Sequence, residues 1–238
     1  TSIKNSLDII LSGKTCDITE SMQRFLDMAK RNVKKLARII NDLLDMSKIE
    51  AGKMDYSYQI TGVTQVIEDV KTNLTESAKQ KNLEIKLDIQ KDLPTVYIDT
   101  DRIEQVLSNL VSNAIKFSPN SSYITISAKT VNGEDIIADE CFMPQISCLE
   151  GDYIEISVID NGIGIDKKDL KHVFDKFEQI ENSMTREVGG SGLGLSIALQ
   201  LISAHNGLIW CDSELNKGSS FNFVLPVLKN TNSLQKEI

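Results

Sequence analysis

The sequence is poor in aromatic residues, which make up 5% of its 238 positions, so any core must be built mainly from aliphatic side chains. Its four cysteines, Cys16, Cys141, Cys148 and Cys211, show no CxxC spacing and have no histidine beside them. That argues against a zinc site and leaves buried or idle thiols, which suit a reducing compartment. No apolar run approaches about 18 residues, so no segment reads as a membrane span. Positive charge is also short: the formal net charge is -8, which argues against non-specific binding to nucleic acid or an anionic membrane but leaves room for a nucleotide at a local basic spot. There is no initial methionine and no signal peptide, so we expect a cytoplasmic piece of a longer protein, with any membrane anchor upstream.

One stretch lacks the completion that its glycines promise. Residues 189 to 198 read GGSGLGLSIA, four glycines in six positions followed by helix formers. A P-loop would need Gly-Lys-Ser/Thr, yet Leu195 follows Gly194. A dinucleotide fingerprint would need G-x-G-x-x-G, and the spacing is G-x-G-x-G. Both familiar phosphate motifs are excluded, although a backbone held close to an anion remains the natural use of such a segment.

The N-terminal part is helical. IKNSLDIIL is interrupted by GKTC, then DITE reads as a capping box with Asp17 as N-cap and Glu20 three residues on. The helical pattern then continues to about Ala51. Met22, Ala29, Leu36 and Leu43 stand seven apart, with Phe25, Ile39 and Met46, or their neighbours Leu26, Val33 and Ile40, on the second seam. Lys30, Arg31, Lys34, Lys35 and Arg38 line another face, either a solvated surface or a docking site for an acidic partner. One hairpin cannot bury such a stripe. Two can, as a four-helix bundle, so we expect a homodimer through residues 1–50. Gly52 ends the long helix and EAGKM reads as a linker.

The remainder mixes strands and helices. MDYSYQI, LEIKLDI, TVYID, YITISAK, YIEISVID, GLIWCDS and SSFNFVLPV read as strands. Helices are expected at 63–80, from Thr100 or Asp101 to Phe117, at 166–173 and at 192–204. Several strands adjoin with no helix between them, which favours an α+β sandwich over a parallel doubly wound sheet. The segment 131–150 is longer than a hairpin turn needs.

Three places in this part carry chemistry. On the helix ending RIEQVLSNLVSNAIKF, Asn109 and Asn113 share a face and Lys116 lies three further on, while Leu107, Leu110, Val111 and Ala114 point elsewhere. This is either a wet face or a site: an amide oxygen is a hard ligand suited to Mg²⁺, and an ammonium can neutralise phosphate. Asp160 ends an apolar strand before Asn161-Gly162-Ile163-Gly164, either an ordinary turn or an acceptor for the exocyclic amine of adenine. Gly190, Gly192 and Gly194 precede a helix, whose N-terminus favours phosphate. Between the two glycine segments, Phe174 and Phe177 look like apolar anchors of a polar lid.

NLVSNAIKF, DNGIGI, FDKF and GGSGLGL, in that order, are similar to the N, G1, F and G2 boxes of the sensor histidine kinase catalytic domain, and DLLDMSKIEAGKM resembles the second helix of the kinase dimerisation and phosphotransfer hairpin. The resemblance implies the Bergerat fold shared with gyrase, chaperone and mismatch-repair ATPases. It also implies a truncated hairpin over 1–52, an ATP-binding domain over 53–230 and a disordered tail at 231–238. By that likeness Asn113 binds Mg²⁺, Asn109 and Lys116 assist the phosphates, and Asp160 reads adenine. Gly162, Gly164, Gly190, Gly192 and Gly194 shape the pocket and lid. A response-regulator receiver domain is the implied partner. ATP-hydrolysing branches resemble one another in placing a glutamate where this chain has Asn109, and an amide has no useful basicity, which suits transfer to a protein nucleophile.

The chain departs from that pattern in its histidines. The two present, His172 and His205, lie outside the hairpin and are expected to be structural. We therefore expect the chain to bind ATP without phosphorylating itself. Two other functions remain open at this point: an interaction module with a degenerate nucleotide site, and an ATP-driven clamp, the latter disfavoured by Asn109 and the heptad hairpin.

Overall fold

The computed structural model describes residues 2–11, 19–136, 150–178 and 191–228. The expectations for Asp17, Cys16, Cys141, Cys148, Gly190 and the tail at 231–238 lie outside them. The chain divides into two compact units, Thr1–Met54 and Asp55–Ile238.

In the first unit, α1 (Ser2–Leu11) packs on α2 (Glu20–Glu50), and Lys30 Nζ meets Asp8 Oδ1 at 2.6 Å. Thr19 is the N-cap of α2, its hydroxyl accepting from the Met22 N–H at 3.3 Å, in the place expected for Asp17. The helix closes on Gly52, which takes a left-handed φ of 62°, while the Lys53 N–H bonds back to the Lys48 carbonyl. Met22, Phe25, Met28, Leu36, Ile40 and Leu43 are exposed in the single chain.

The second unit is a mixed sheet covered on one face by helices. Its strands are β2 (Glu84–Ile89), β4 (Tyr123–Asn132), β5 (Asp152–Asp160), β6 (Leu208–Glu214) and β7 (Gly218–Pro226), in the order β2-β4-β5-β7-β6. The β2–β4 pair is parallel and the other pairs are antiparallel. A separate two-stranded ribbon pairs β1 (Gln59–Thr61) with β3 (Val96–Ile98). The covering helices are α3 (Val63–Lys79), α4 (Thr100–Phe117) and α6 (Gly194–Ala204); α5 (Lys167–Leu170) is a single turn. Ile67, Leu107, Leu110, Ile126, Ile156, Ile197 and Phe223 form part of the fully buried core, aliphatic as the composition requires.

Three expected elements change. The helix expected at 166–173 is only the single turn Lys167–Leu170. MDYSYQI is strand only from Gln59: the rings of Tyr56 and Tyr58 pack against His205, and the Tyr58 hydroxyl donates to the Ala204 carbonyl at 2.8 Å. Alternation there reflects aromatic packing rather than sheet pairing. The helix expected from residue 192 begins at Gly194, so this glycine lies in the first turn instead of preceding it.

Candidate nucleotide site

α4 supplies one wall. Its start is fixed by Asp99, whose Oδ1 accepts from the Arg102 N–H while its Oδ2 accepts from the Ser57 N–H at 2.8 Å. Its apolar residues, including Leu107, Leu110, Val111 and Ala114, are buried. Asn109 is buried as well, and its Nδ2 donates to the Gly194 carbonyl at 3.3 Å, which ties α4 to the first turn of α6. Asn113 and Lys116 are half-buried further along, and the Lys116 Nζ lies 4.6 Å from the centre of the Phe117 ring.

β5 supplies the second wall. Asp160 ends the strand opposite Ile124 of β4 and Ser219 of β7. Its carboxylate is buried and accepts from the Gly162 N–H at 2.7 Å. Burial pushes its pKa above the usual carboxylate range, against the opposing effect of two backbone donors, Gly162 and Ser219. A β-carbon at position 162 would stand 2.6 Å from Asp160 Oδ1 and 2.7 Å from the Phe117 carbonyl. Glycine there lets the turn after β5 close against the end of α4. Gly164 has a φ of 66°, and a β-carbon would run into the Glu214 carbonyl. Both glycines are demanded by the protein's own packing.

The third wall is the N-terminus of α6. Its N-cap residue, Leu193, has no side-chain oxygen to cap the first turn, and the Leu193 N–H donates to Ser191 Oγ at 3.3 Å. Gly192 has a φ of 71° and its carbonyl accepts from the Phe177 N–H at 3.0 Å. The two expected aromatic anchors behave differently. Phe174 is buried edge-on against Phe221, whereas Phe177 is 64% exposed with a φ of 62°, so it is not a packed anchor. Its backbone, turned by the pairing to Gly192, directs the ring outward.

The structure therefore brings Asn109 and Gly194 together, and places Asp160 and Gly162 against the end of the helix that carries Asn113 and Lys116. Ser219 was missed in the sequence. Only the β5–β7 register places its N–H on Asp160, and the KGSSF turn carries no signal of that pairing.

The two histidines stand apart from this region in character. His205 is buried; its Nδ1 is 2.7 Å from the Leu201 carbonyl and its Nε2 accepts from the Asp99 N–H at 3.0 Å. Desolvation depresses its pKa. His172 sits at the surface with Nδ1 2.7 Å from Asp175 Oδ2. Cys211 is a buried thiol whose pKa is raised far above its ordinary value by desolvation and by the nearby charges of Asp212 and Asp160.

A mixed sheet covered by helices, with the turn after a strand-end aspartate set against the end of an asparagine-bearing helix, defines a nucleotide-binding ATPase-type domain, and comparison with known families agrees. Residues 98–229 match the model described as histidine kinase-, DNA gyrase B- and HSP90-like ATPase, and residues 1–52 match the His Kinase A (phospho-acceptor) domain. The chain belongs to this ATPase family, in the arrangement of a histidine kinase core. Among relatives, it is similar to the sensor histidine kinase WalK of Bacillus subtilis, 32% identical over 226 residues, covering 95% of this chain and 34% of WalK. The chain thus spans about a third of that relative's length. Among solved structures, full-length ShkA in complex with AMPPNP shares the fold at a TM-score of 0.71 and 22% identity, covering 96% of this chain and 45% of ShkA. ThkA in complex with the response regulator TrrA shares it at a TM-score of 0.63 and 20% identity, covering 95% and 59%. Among the described residues, no helix is long and apolar enough to cross a membrane.

Proposed function

We propose that this chain is the ATP-binding core of a two-component sensor kinase, acting in the cytoplasm as a homodimer through α1 and α2. It would transfer the γ-phosphoryl of ATP to a histidine and onward to an aspartate of a response-regulator receiver domain. The observation that carries the reading is the meeting of the Asp160–Gly162 turn with the end of α4, while Asn109 of the same helix holds the start of α6. The ShkA complex with AMPPNP and the ThkA complex with TrrA support the nucleotide and the regulator respectively.

In this reading Asp160 accepts from the adenine amino group, directly or through water, a contact of about 1.5–3 kcal/mol. Gly162 and Gly164 hold its turn. Gly190, Gly192 and Gly194 shape the phosphate end, where the N-terminus of α6, with Leu193 as its N-cap residue, favours negative charge. Lys116 supplies a point charge for a phosphate. Asn109, already engaged with Gly194, aligns α4 with α6 and offers no base for water. The residues present fit Mg²⁺ in their donor chemistry: a magnesium carried on phosphates needs only one or two protein oxygens, and the half-buried Asn113 carries a hard amide oxygen. Asn113 would provide that oxygen, and the ion would supply charge neutralisation on the phosphates when bound. The protein's contribution is then positioning and electrostatics.

Labelled ATP tests the reading. The 238-residue chain should bind ATP yet acquire no acid-labile phosphate on His172 or His205, because His205 has both ring nitrogens engaged inside the domain. The full-length protein should acquire acid-labile phosphate on another histidine and pass it to a regulator aspartate. ATP binding with no transfer by the full-length protein would favour a nucleotide-regulated interaction module, the reading to which the histidine-free residues 1–54 would then point.

A further inference from the structure

The last turn of α4 ends in an unusual way. A helical Ile115 carbonyl would accept from the N–H of residue 119, but residue 119 is proline and has none. Ser118 is already extended, with ψ of 145°, so the chain leaves the helix before residue 120 can serve the Lys116 carbonyl. Both carbonyls find their donor elsewhere. Lys81, in the turn between α3 and β2, places its Nζ 3.0 Å from the Ile115 carbonyl, 2.7 Å from that of Lys116 and 3.4 Å from that of Ser118. A cation on three carbonyls at a helix C-terminus also sits where the helix dipole is negative. The backbone of the same residue adds a tie, because its carbonyl accepts from the Ser121 N–H at 3.2 Å. Immediately beyond, Glu84 N–H bonds to the Ser122 carbonyl and opens the β2–β4 ladder.

This clamp faces away from Asp160 in sequence but acts on the same helix end. The Phe117 carbonyl, between two of the clamped carbonyls, is the wall against which Gly162 packs. Gly162 in turn donates to Asp160. Lys116 has its carbonyl fixed by Lys81 while its Nζ lies 4.6 Å from the centre of the Phe117 ring. We propose that Lys81 is a positioning residue of the nucleotide site: its ammonium sets the final turn of α4, and thereby the placement of Lys116 and of the Asp160–Gly162 turn. The inference rests on the reading of that site as an ATP site. Lys81 itself touches no nucleotide in this account. Its donors replace the N–H that Pro119 cannot offer, so the pair of residues 81 and 119 forms one device: proline stops the helix and lysine holds the end in place.

The test uses calorimetric ATP titration with Mg²⁺ on wild type, Lys81→Met, Lys81→Arg and Val70→Ala. Val70 is fully buried in α3, remote from the proposed site residues in sequence and serving only packing, so Val70→Ala reports what general destabilisation does to affinity. Methionine keeps the stem of Lys81 and removes its donors, and should weaken ATP binding by about tenfold, the scale of a sub-ångström loss of positioning. Arginine keeps charge and donors and should restore affinity to within about threefold of wild type. In amide spectra without nucleotide, the Gly162 signal should shift in Lys81→Met and not in Val70→Ala. If Lys81→Met fails to fold, Lys81→Gln, with donors but no charge, takes its place and should show the same Gly162 shift with a smaller affinity loss. Unchanged affinity and an unmoved Gly162 signal in a folded variant, or a loss no greater than in Val70→Ala, would overturn the proposal while wild-type binding leaves the nucleotide reading standing. Failure of wild type to bind ATP would overturn both.

Discussion

Asp160 shows most directly how one side chain reconciles structure with chemistry. Its carboxylate is buried among backbone donors that number fewer than its lone pairs can use, and burial holds its pKa above the usual range. The folded nucleotide-free state therefore keeps the proton more readily than the unfolded chain. Stability from this group is full below the ordinary carboxylate pKa and falls as pH rises through the folded one. At neutral pH the charge is a cost that a ligand donor would offset. Asp160→Asn retains an acceptor for the Gly162 N–H but removes the charge. It should raise the melting temperature of the nucleotide-free protein at pH 7 while weakening ATP binding by about tenfold or more, the size of one charge-assisted contact. Thermal scans and calorimetry read the two effects, and a variant that is both less stable and equally tight would contradict them. Residue identity made Asp160 and the asparagines conspicuous in the sequence, because a polar group amid apolar neighbours stands out at helical or strand spacing. Ser219 and Lys81 did not stand out. They act through backbone N–H and carbonyl groups brought close by sheet register and by a helix end, and neither is written in local pattern.

At the scale of elements, the boundaries of α4 were legible to within a residue, since Thr100-Asp101 and Ser118-Pro119 bracket an uninterrupted amphipathic run, although its N-cap, Asp99, was not singled out. The strands β4 to β7 and the closing β6–β7 pair were legible for a similar reason, their runs ending at turn residues, whereas the β5–β7 pairing was not. MDYSYQI was not, because only its last two residues pair with β3, while Tyr56 and Tyr58 pack on His205 at the end of α6. Phe177 was misjudged because a left-handed backbone, invisible to hydrophobicity, turns it outward. The join between α4 and α6 passes through His205, which is neutral in the fold: it accepts from the Asp99 N–H, and protonation would abolish that bond. A His with a depressed folded pKa contributes stability that is present above its unfolded pKa and is lost as pH falls towards the folded one. Denaturant unfolding should therefore show stability declining as pH falls below about 6.5, the ordinary histidine value. His205→Gln should flatten that slope, and a slope unchanged by the substitution would remove His205 from this role.

The whole molecule joins a helical hairpin with an unburied stripe to a nucleotide-binding sheet domain. The stripe was readable from its seven-residue recurrence, and Met22, Phe25, Leu36, Ile40 and Leu43 of it are exposed in the single chain, Leu36 by 58% and Leu43 by 44%, although Met46 is buried. A second copy would cover them. Leu36→Glu combined with Leu43→Glu should convert a dimer to a monomer in sedimentation velocity without altering ATP affinity; an unchanged sedimentation coefficient would place the dimer contact elsewhere. The central claim is that α4, the turn after β5 and the start of α6 enclose one ATP·Mg²⁺ site. Hydrogen exchange with and without AMPPNP and Mg²⁺ tests it most directly. The account predicts slowed exchange together at residues 113–117, 161–164 and 194–196, reversed when Mg²⁺ is chelated. Protection at only one of these segments, or at none while the nucleotide binds, would contradict it.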